Sequence, residues 1–175
     1  SEWGLEQNVR DARIAQIYEG ANGIQALDLM GRKTVRNNGE LLKVLLVQMD
    51  AFTSTQQTVD AMQPYLEVFA KSRQLLVETT DAIIGRAEEN PDEVGAASYA
   101  YMELMGMTLH CFMWIRILAA CIEEISAESG DYDYLCGLIK TGEFFLNRML
   151  PKSKAMVEEI AAGAASMMDL TAEQF

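Results

Sequence analysis

Residues Asp11 to Leu29 read Asp-Ala-Arg-Ile-Ala-Gln-Ile-Tyr-Glu-Gly-Ala-Asn-Gly-Ile-Gln-Ala-Leu-Asp-Leu: a helix, a sharp break and a second helix. On the first half, Val9, Ala12, Ala15, Ile17 and Tyr18 recur at spacings that give one apolar face, with Arg10, Asp11 and Arg13 turned elsewhere. Glu19 and Gly20 interrupt that run, and a glycine just past an apolar periodicity allows the positive φ that ends a helix. Asn22, followed three residues later by Gln25, resembles a capping box, with Ile24 and Leu27 opening the next apolar face. The corner therefore holds one carboxylate, Glu19, between two helices and beside a residue with no side chain. On the residues alone two readings stand, a general base or a solvated helix-end glutamate, and the second is the commoner fate of glutamate.

Working outward, the second helix is expected over about Ile24 to Arg32. The polar stretch Lys33 to Gly39, with its Asn37-Asn38-Gly39 turn, marks a boundary between residues 1–33 and 34–175. Asn38 is placed to cap a helix whose Leu41, Leu42, Leu45, Leu46, Met49 and Phe52 form an apolar stripe that loosens at Thr53 to Thr58. Met62, Leu66, Phe69, Leu76, Ile83 and Ala87 then keep a three-four rhythm typical of bundles, with Pro64 in a first turn. Asn90-Pro91-Asp92-Glu93 is the best helix start in the chain, with the acids at the positive helix end. It opens a long helix reaching Glu128 to Gly130. Tyr99, Met102, Gly106, Leu109, Met113 and Ile117 lie on one side of it, with Phe112 and Trp114 broadening the apolar surface, which reads as the inward face of a central helix. A last helical stretch follows Asp131 and is broken or bent at Pro151. The tail Asp169 to Phe175 carries Thr171-Ala-Glu-Gln174, a cap without a helix to follow.

Composition agrees with an all-α reading. Half of the 175 residues are hydrophobic and only three are proline, which suits long helices and argues against disorder and against an all-β fold. The net charge of −12 opposes a nucleic-acid surface, since phosphate binding needs clustered lysine and arginine. Leu104 to Ile122, the most apolar segment, is interrupted by Arg116 and His110 short of the roughly twenty residues of a membrane span, and reads as a core helix. Cys111, Cys121 and Cys136 are an odd count with no Cys-x-x-Cys spacing, as expected of buried or partly buried thiols in a reducing, cytoplasmic setting.

Other candidate sites weigh less. His110, the single histidine, reads as a hydrogen-bonded core or interface residue, because no partner ligand stands at helical spacing. Glu123-Glu124 and Glu158-Glu159 lack the Glu-x-x-His pattern of a diiron bundle and read as solvated faces, so no metal is expected. Tyr101, Phe112 and Trp114 are candidates for a subunit interface, where aromatic residues are enriched.

The spaced elements Asp-Ala-Arg-Ile, Ile-Tyr-Glu-Gly, Asn-Gly-Ile-Gln and Asp-Leu resemble the closing signature of the acyl-CoA dehydrogenases, flavoenzymes that oxidise the Cα–Cβ bond of acyl-CoA thioesters. The resemblance implies that Glu19 is the base removing the α-proton and that Gly20 lies against the thioester. It also implies that Ala21, Asn22 and Gly23 line FAD. Ala21 departs from the family's usual threonine and brings no hydroxyl to the cofactor. The later helices, with Phe144-Phe145 and Leu150-Pro151, are similar to the extra carboxy-terminal domain of the 3-methylmercaptopropionyl-CoA dehydrogenase-like branch. On this resemblance residues 1–33 complete a catalytic core and residues 34–175 form an accessory helical bundle. The chain is then expected to be a carboxy-terminal fragment, inactive in isolation, of a homo-oligomeric oxidoreductase of fatty acid metabolism that passes electrons to an electron-transfer flavoprotein. The competing expectation is a stand-alone helical interaction or oligomerisation module without catalysis.

Overall fold

The Asn90-Pro91 start delivers a 35-residue helix, Asp92–Ser126, and the rest of the bundle is laid against it. The computed structural model describes residues 4–17 and 21–174, and every regular element among them is helical. Helices α1 to α8 run Glu6–Ile17, Ala21–Leu27, Glu40–Gln56, Gln63–Glu89, Asp92–Ser126, Tyr132–Phe144, Ser153–Ala161 and Ala165–Met168. Helices α2, α4, α6 and α7 pack around α5. By length and composition α5 is apolar enough to cross a bilayer, yet here it forms the shared wall of the core.

Buried apolar positions on α4 and just before it fall on every seventh residue, Met62, Phe69, Leu76 and Ile83, as the spacing predicts. On α5 the buried series is Ala97, Tyr101, Leu104, Thr108, Cys111, Ile115 and Leu118, while Tyr99 and Met113 are exposed. This corrects the expected inward face by a rotation of the helix. Because α5 is apolar nearly all round, periodicity alone did not select the side that meets α4. Tyr101 is accordingly no interface residue. Its hydroxyl lies 2.9 Å from Thr80 Oγ1, and since Thr80 donates to Leu76 O, Tyr101 supplies the proton between them. Burial pushes the Tyr101 phenol above its usual range, with Thr80 and Thr34 opposing.

Three further expectations shift. Asn38 does not cap α3: it and Gly39 take left-handed conformations, at φ 49° and 73°, and Gly39 precedes the helix without a side-chain bond. Helix α3 runs on to Gln56 because the hydroxyls of Ser54 and Thr55 bond back to Asp50 O and Phe52 O instead of competing for the helix's end. The second helix does not stop at Arg32. It widens into a π-helical stretch, Asp28–Thr34, and tightens over Val35–Asn37, so Met30 and Thr34 are both buried on either side of position 33.

Pro151 acts as expected. Proline lacks an N–H and crowds the carbonyl four residues back. The chain leaves α6 through a π-helical stretch, Phe145–Met149, turns tightly over Leu150–Lys152 and continues as α7. Where α6 crosses α5, Gly142 is buried, and a Cβ built there would stand 3.0 Å from Trp114 and 3.1 Å from Leu118. In the tail, Gln174 Oε1 accepts from Thr171 N at 2.8 Å over one short turn, the cap read from the sequence; Phe175 lies outside the described residues.

Cys111 and Cys121 are buried and Cys136 partly so, all as free thiols. Burial pushes the Cys111 thiol from 9.0 up to about 12. A group whose proton affinity rises on folding stabilises the fold below its unfolded value, so this contribution is complete below pH 9 and is lost as pH climbs to about 12. A thiol reagent at neutral to mildly alkaline pH is therefore expected to modify Cys136 in the folded chain and Cys111 only after unfolding. Equal labelling rates by mass spectrometry would contradict this burial.

Candidate active-site corner

The corner is anchored on one side and open on the other. In α2 and its extension, Ala26 and Met30 are fully buried, and Gly31 lets the backbone approach α5: a Cβ there would meet Val94 Cγ1 at 3.3 Å. Upstream the pattern reverses. None of the residues of α1 is buried, and Leu5, Val9, Ile14 and Ile17 are at least half exposed. The apolar Val9–Ile17 side of α1 is thus left without cover by the described residues, because an apolar period shows which side seeks cover but not whether this chain supplies it. The polar side of α1 satisfies itself, with Gln7 Nε2 donating to Asp11 Oδ1 at 2.7 Å and Arg10 donating to Gln7 Oε1.

Between α1 and α2 fall Tyr18, Glu19 and Gly20, which lie outside the described residues, as does the side chain of Ala21. Ala21 begins α2, so Asn22 sits in the first helical turn and is not its cap. Asn22 and Gly23 are exposed, and a Cβ built on Gly23 meets no atom within 4 Å. Ile24 and Leu27 continue the exposed apolar side of the corner. A group arriving from outside this chain thus finds a backbone with no obstructing side chain at Gly23, one amide at Asn22 and a flanking apolar rim. On the other side of the extension, hydrogen bonding from Arg32 holds the Asp28 carboxyl below its usual range despite some desolvation, with Lys33 helping.

The remaining candidates disperse. His110 is exposed with its ring edge-on to Phe145, at 6.2 Å between centroids, which overturns the core alternative and leaves the interface one. Helix α5 turns that position outward once Cys111 faces the core. Glu123, Glu124, Glu158 and Glu159 are exposed, and among the described residues no three His, Cys, Asp or Glu side chains gather as metal ligands. Phe112 packs between Phe52 and Phe69 at 5.8 and 5.6 Å, and Trp114 stacks on Phe145 at 6.5 Å.

One polar cluster was not foreseen. Glu93 is only 8 % exposed; its Oε2 accepts from Arg86 Nε and its Oε1 from the buried backbone N–H of Ala164, both at 2.9 Å. Arg86 Nη2 also donates to Ile160 O at 2.9 Å. Gly163, at φ 70°, makes the left-handed turn that brings Ala164 round to the carboxylate. The α4–α5 corner and the end of α7 are thereby tied together. The sequence offered a signal only in retrospect, an arginine seven residues before a glutamate in a start otherwise explained by capping.

A family described as acetyl-CoA dehydrogenase C-terminal like matches residues 45–171. The chain belongs to that family. As a member it is similar to 3-methylmercaptopropionyl-CoA dehydrogenase of Ruegeria pomeroyi, at 30 % identity over 95 % of this chain and 28 % of that protein. It is also similar to the broad-specificity linear acyl-CoA dehydrogenase FadE5 of Mycobacterium tuberculosis, at 25 % identity over 99 % of this chain and 30 % of the relative. Butyryl-CoA dehydrogenase of Syntrophomonas wolfei matches at 25 % identity over 99 % of this chain and 29 % of its own length. The chain thus spans under a third of the length of these relatives. The match starts at residue 45, downstream of the corner, while the relatives align over nearly the whole chain, corner included.

Proposed function

We propose that this chain is the carboxy-terminal part of a flavin-dependent acyl-CoA dehydrogenase, with Glu19 as the base that removes the α-proton of an acyl-CoA thioester. The observation that carries the reading is the open corner: α1 has no buried residue, and Asn22 and Gly23 lie exposed at the start of α2. A corner built this way, on a chain whose relatives are named as acyl-CoA dehydrogenases, suits completion by other parts of a larger enzyme.

Residues 1–33 then finish the catalytic core, Gly20 lies against the thioester, and Ala21, Asn22 and Gly23 line FAD. When bound, FAD supplies the acceptor for the β-hydride, chemistry that no side chain provides. What this chain would contribute is the carboxylate of Glu19, and shielding it from water on assembly raises its proton affinity towards working pH. Residues 34–175 form the accessory bundle that carries the corner through Ala26 and Met30. The same reading makes the enzyme a cytoplasmic homo-oligomer reoxidised by an electron-transfer flavoprotein. The test is anaerobic mixing of the full-length protein with saturated acyl-CoA thioesters of several chain lengths. Bleaching of the oxidised flavin band is expected with at least one, and a full-length protein that binds no flavin would sink the proposal in favour of an interaction module.

A further inference from the structure

A cleft of about 320 Å³ opens between α4 and the stretch from Leu146 to Lys154 at the start of α7. Its α4 wall is one helical face, Val68, Lys71, Ser72 and Leu75, and the opposite wall carries Leu146, Leu150 and Lys154. The volume is at the small end of ordinary small-molecule sites. Its charge sets it apart. Three other clefts among the described residues each mix an arginine with carboxylates, Asp50 and Glu67, Glu123, or Glu78. This one has two exposed lysines on facing walls and no acidic residue in its lining, on a chain of net charge −12. Neither lysine is within 4 Å of a carboxylate among the described residues, unlike Lys43 with Glu40 or Lys33 with Asp28.

A second observation falls in the same lining. Ser153 is 3 % exposed, and its Oγ is the one buried side-chain oxygen or nitrogen among the described residues without a hydrogen-bond partner. Ser72 nearby is satisfied: Thr108 donates to Leu104 O, so Ser72 donates to Thr108 Oγ1 at 3.1 Å. A buried hydroxyl left without a partner is costly, and a serine moves between staggered χ1 wells at little expense, so an acceptor entering the cleft has a donor to gain.

We propose that this cleft binds a straight-chain carboxylate amphiphile, its tail along Leu75, Leu146 and Leu150 and its carboxylate between Lys71 and Lys154 with Ser153 turned to donate to it. At a share of roughly 30 Å³ per water-sized atom the cleft holds about ten non-hydrogen atoms, the size of octanoate. The site shares no residue with the α1–α2 corner and does not rest on the dehydrogenase reading.

The experiment titrates octanoate and 1-octanol into the 175-residue chain, followed by calorimetry and by the methyl NMR signals of Leu75, Leu146 and Leu150. Octanoate is expected to saturate at one molecule per chain with a dissociation constant on the order of 0.1–1 mM, as befits so small a ligand. Added salt should weaken it, and 1-octanol should bind several times more weakly. Each exposed ion pair is worth a factor of about two to five, so Lys71→Glu with Lys154→Glu should weaken octanoate at least about tenfold and leave 1-octanol unchanged. Both lysines are exposed, and circular dichroism checks that the double variant is folded. Ser153→Ala should weaken octanoate about threefold or more without loss of fold. The proposal is overturned by absence of saturable octanoate binding below about 10 mM, by 1-octanol binding as tightly, by octanoate affinity unchanged in both variants, or by methyl shifts confined to other leucines.

Discussion

On the proposed dehydrogenase reading, replacing Glu19 by glutamine in the full-length protein is expected to lower acyl-CoA oxidation by about 10²–10⁴-fold, the range for loss of a positioned general base. Glutamine keeps the shape and polarity of the side chain but takes no proton at working pH, so flavin content and the melting transition should not change. The split between those readouts makes the result informative. If Glu19 were only a helix-end glutamate, the variant would turn over within a few-fold of the parent, and the acid limb of its pH–rate profile would be retained. A base role removes that limb, because the limb reports protonation of the group that must accept the α-proton.

The second large effect is on stability. Glu93→Ala is expected to cost about 3 kcal/mol, since it strips a mostly buried carboxylate from two donors and leaves Arg86 and the Ala164 N–H without their acceptor. For a chain of this size that corresponds to roughly 6–12 °C in melting temperature. The sign of a double replacement is the sharper test. Removing both partners, as Arg86→Met with Glu93→Met, should cost less than the sum of the single changes, because most of each loss is the desolvated group left behind and not the pair's own attraction. Additive losses would mean that the two side chains act independently, against the 2.9 Å contact between them.

What the sequence made legible depended on how each signal arises. Helix starts and stops are local chemistry, and Asn90-Pro91, Pro64, Gly130 and Pro151 all fall at or next to helix ends or distortions. The every-seventh-residue series on α4 was readable because that helix has one apolar face and polar others. Helix α5 has no such contrast, so its orientation waited on the fold, and the Tyr99–Ile117 face came out wrong. The Glu93–Arg86–Ala164 tie joins residues as far as 71 apart through a backbone N–H, which no periodicity encodes. At the corner, the motif offered a role for Glu19, whereas the lack of cover on α1 is a property of what surrounds a helix and not of its sequence.

Helix α5 is bordered by α2, α4, α6 and α7 and, at about 1.5 Å per residue, runs roughly 50 Å. A shared beam of that length leaves no pair of the remaining helices able to enclose an oily interior unaided. The bundle is therefore expected to melt in one cooperative transition: a disturbance at the Arg86 end is felt at the Trp114 end through loss of the same rod, and α2, seated through Ala26, goes with it.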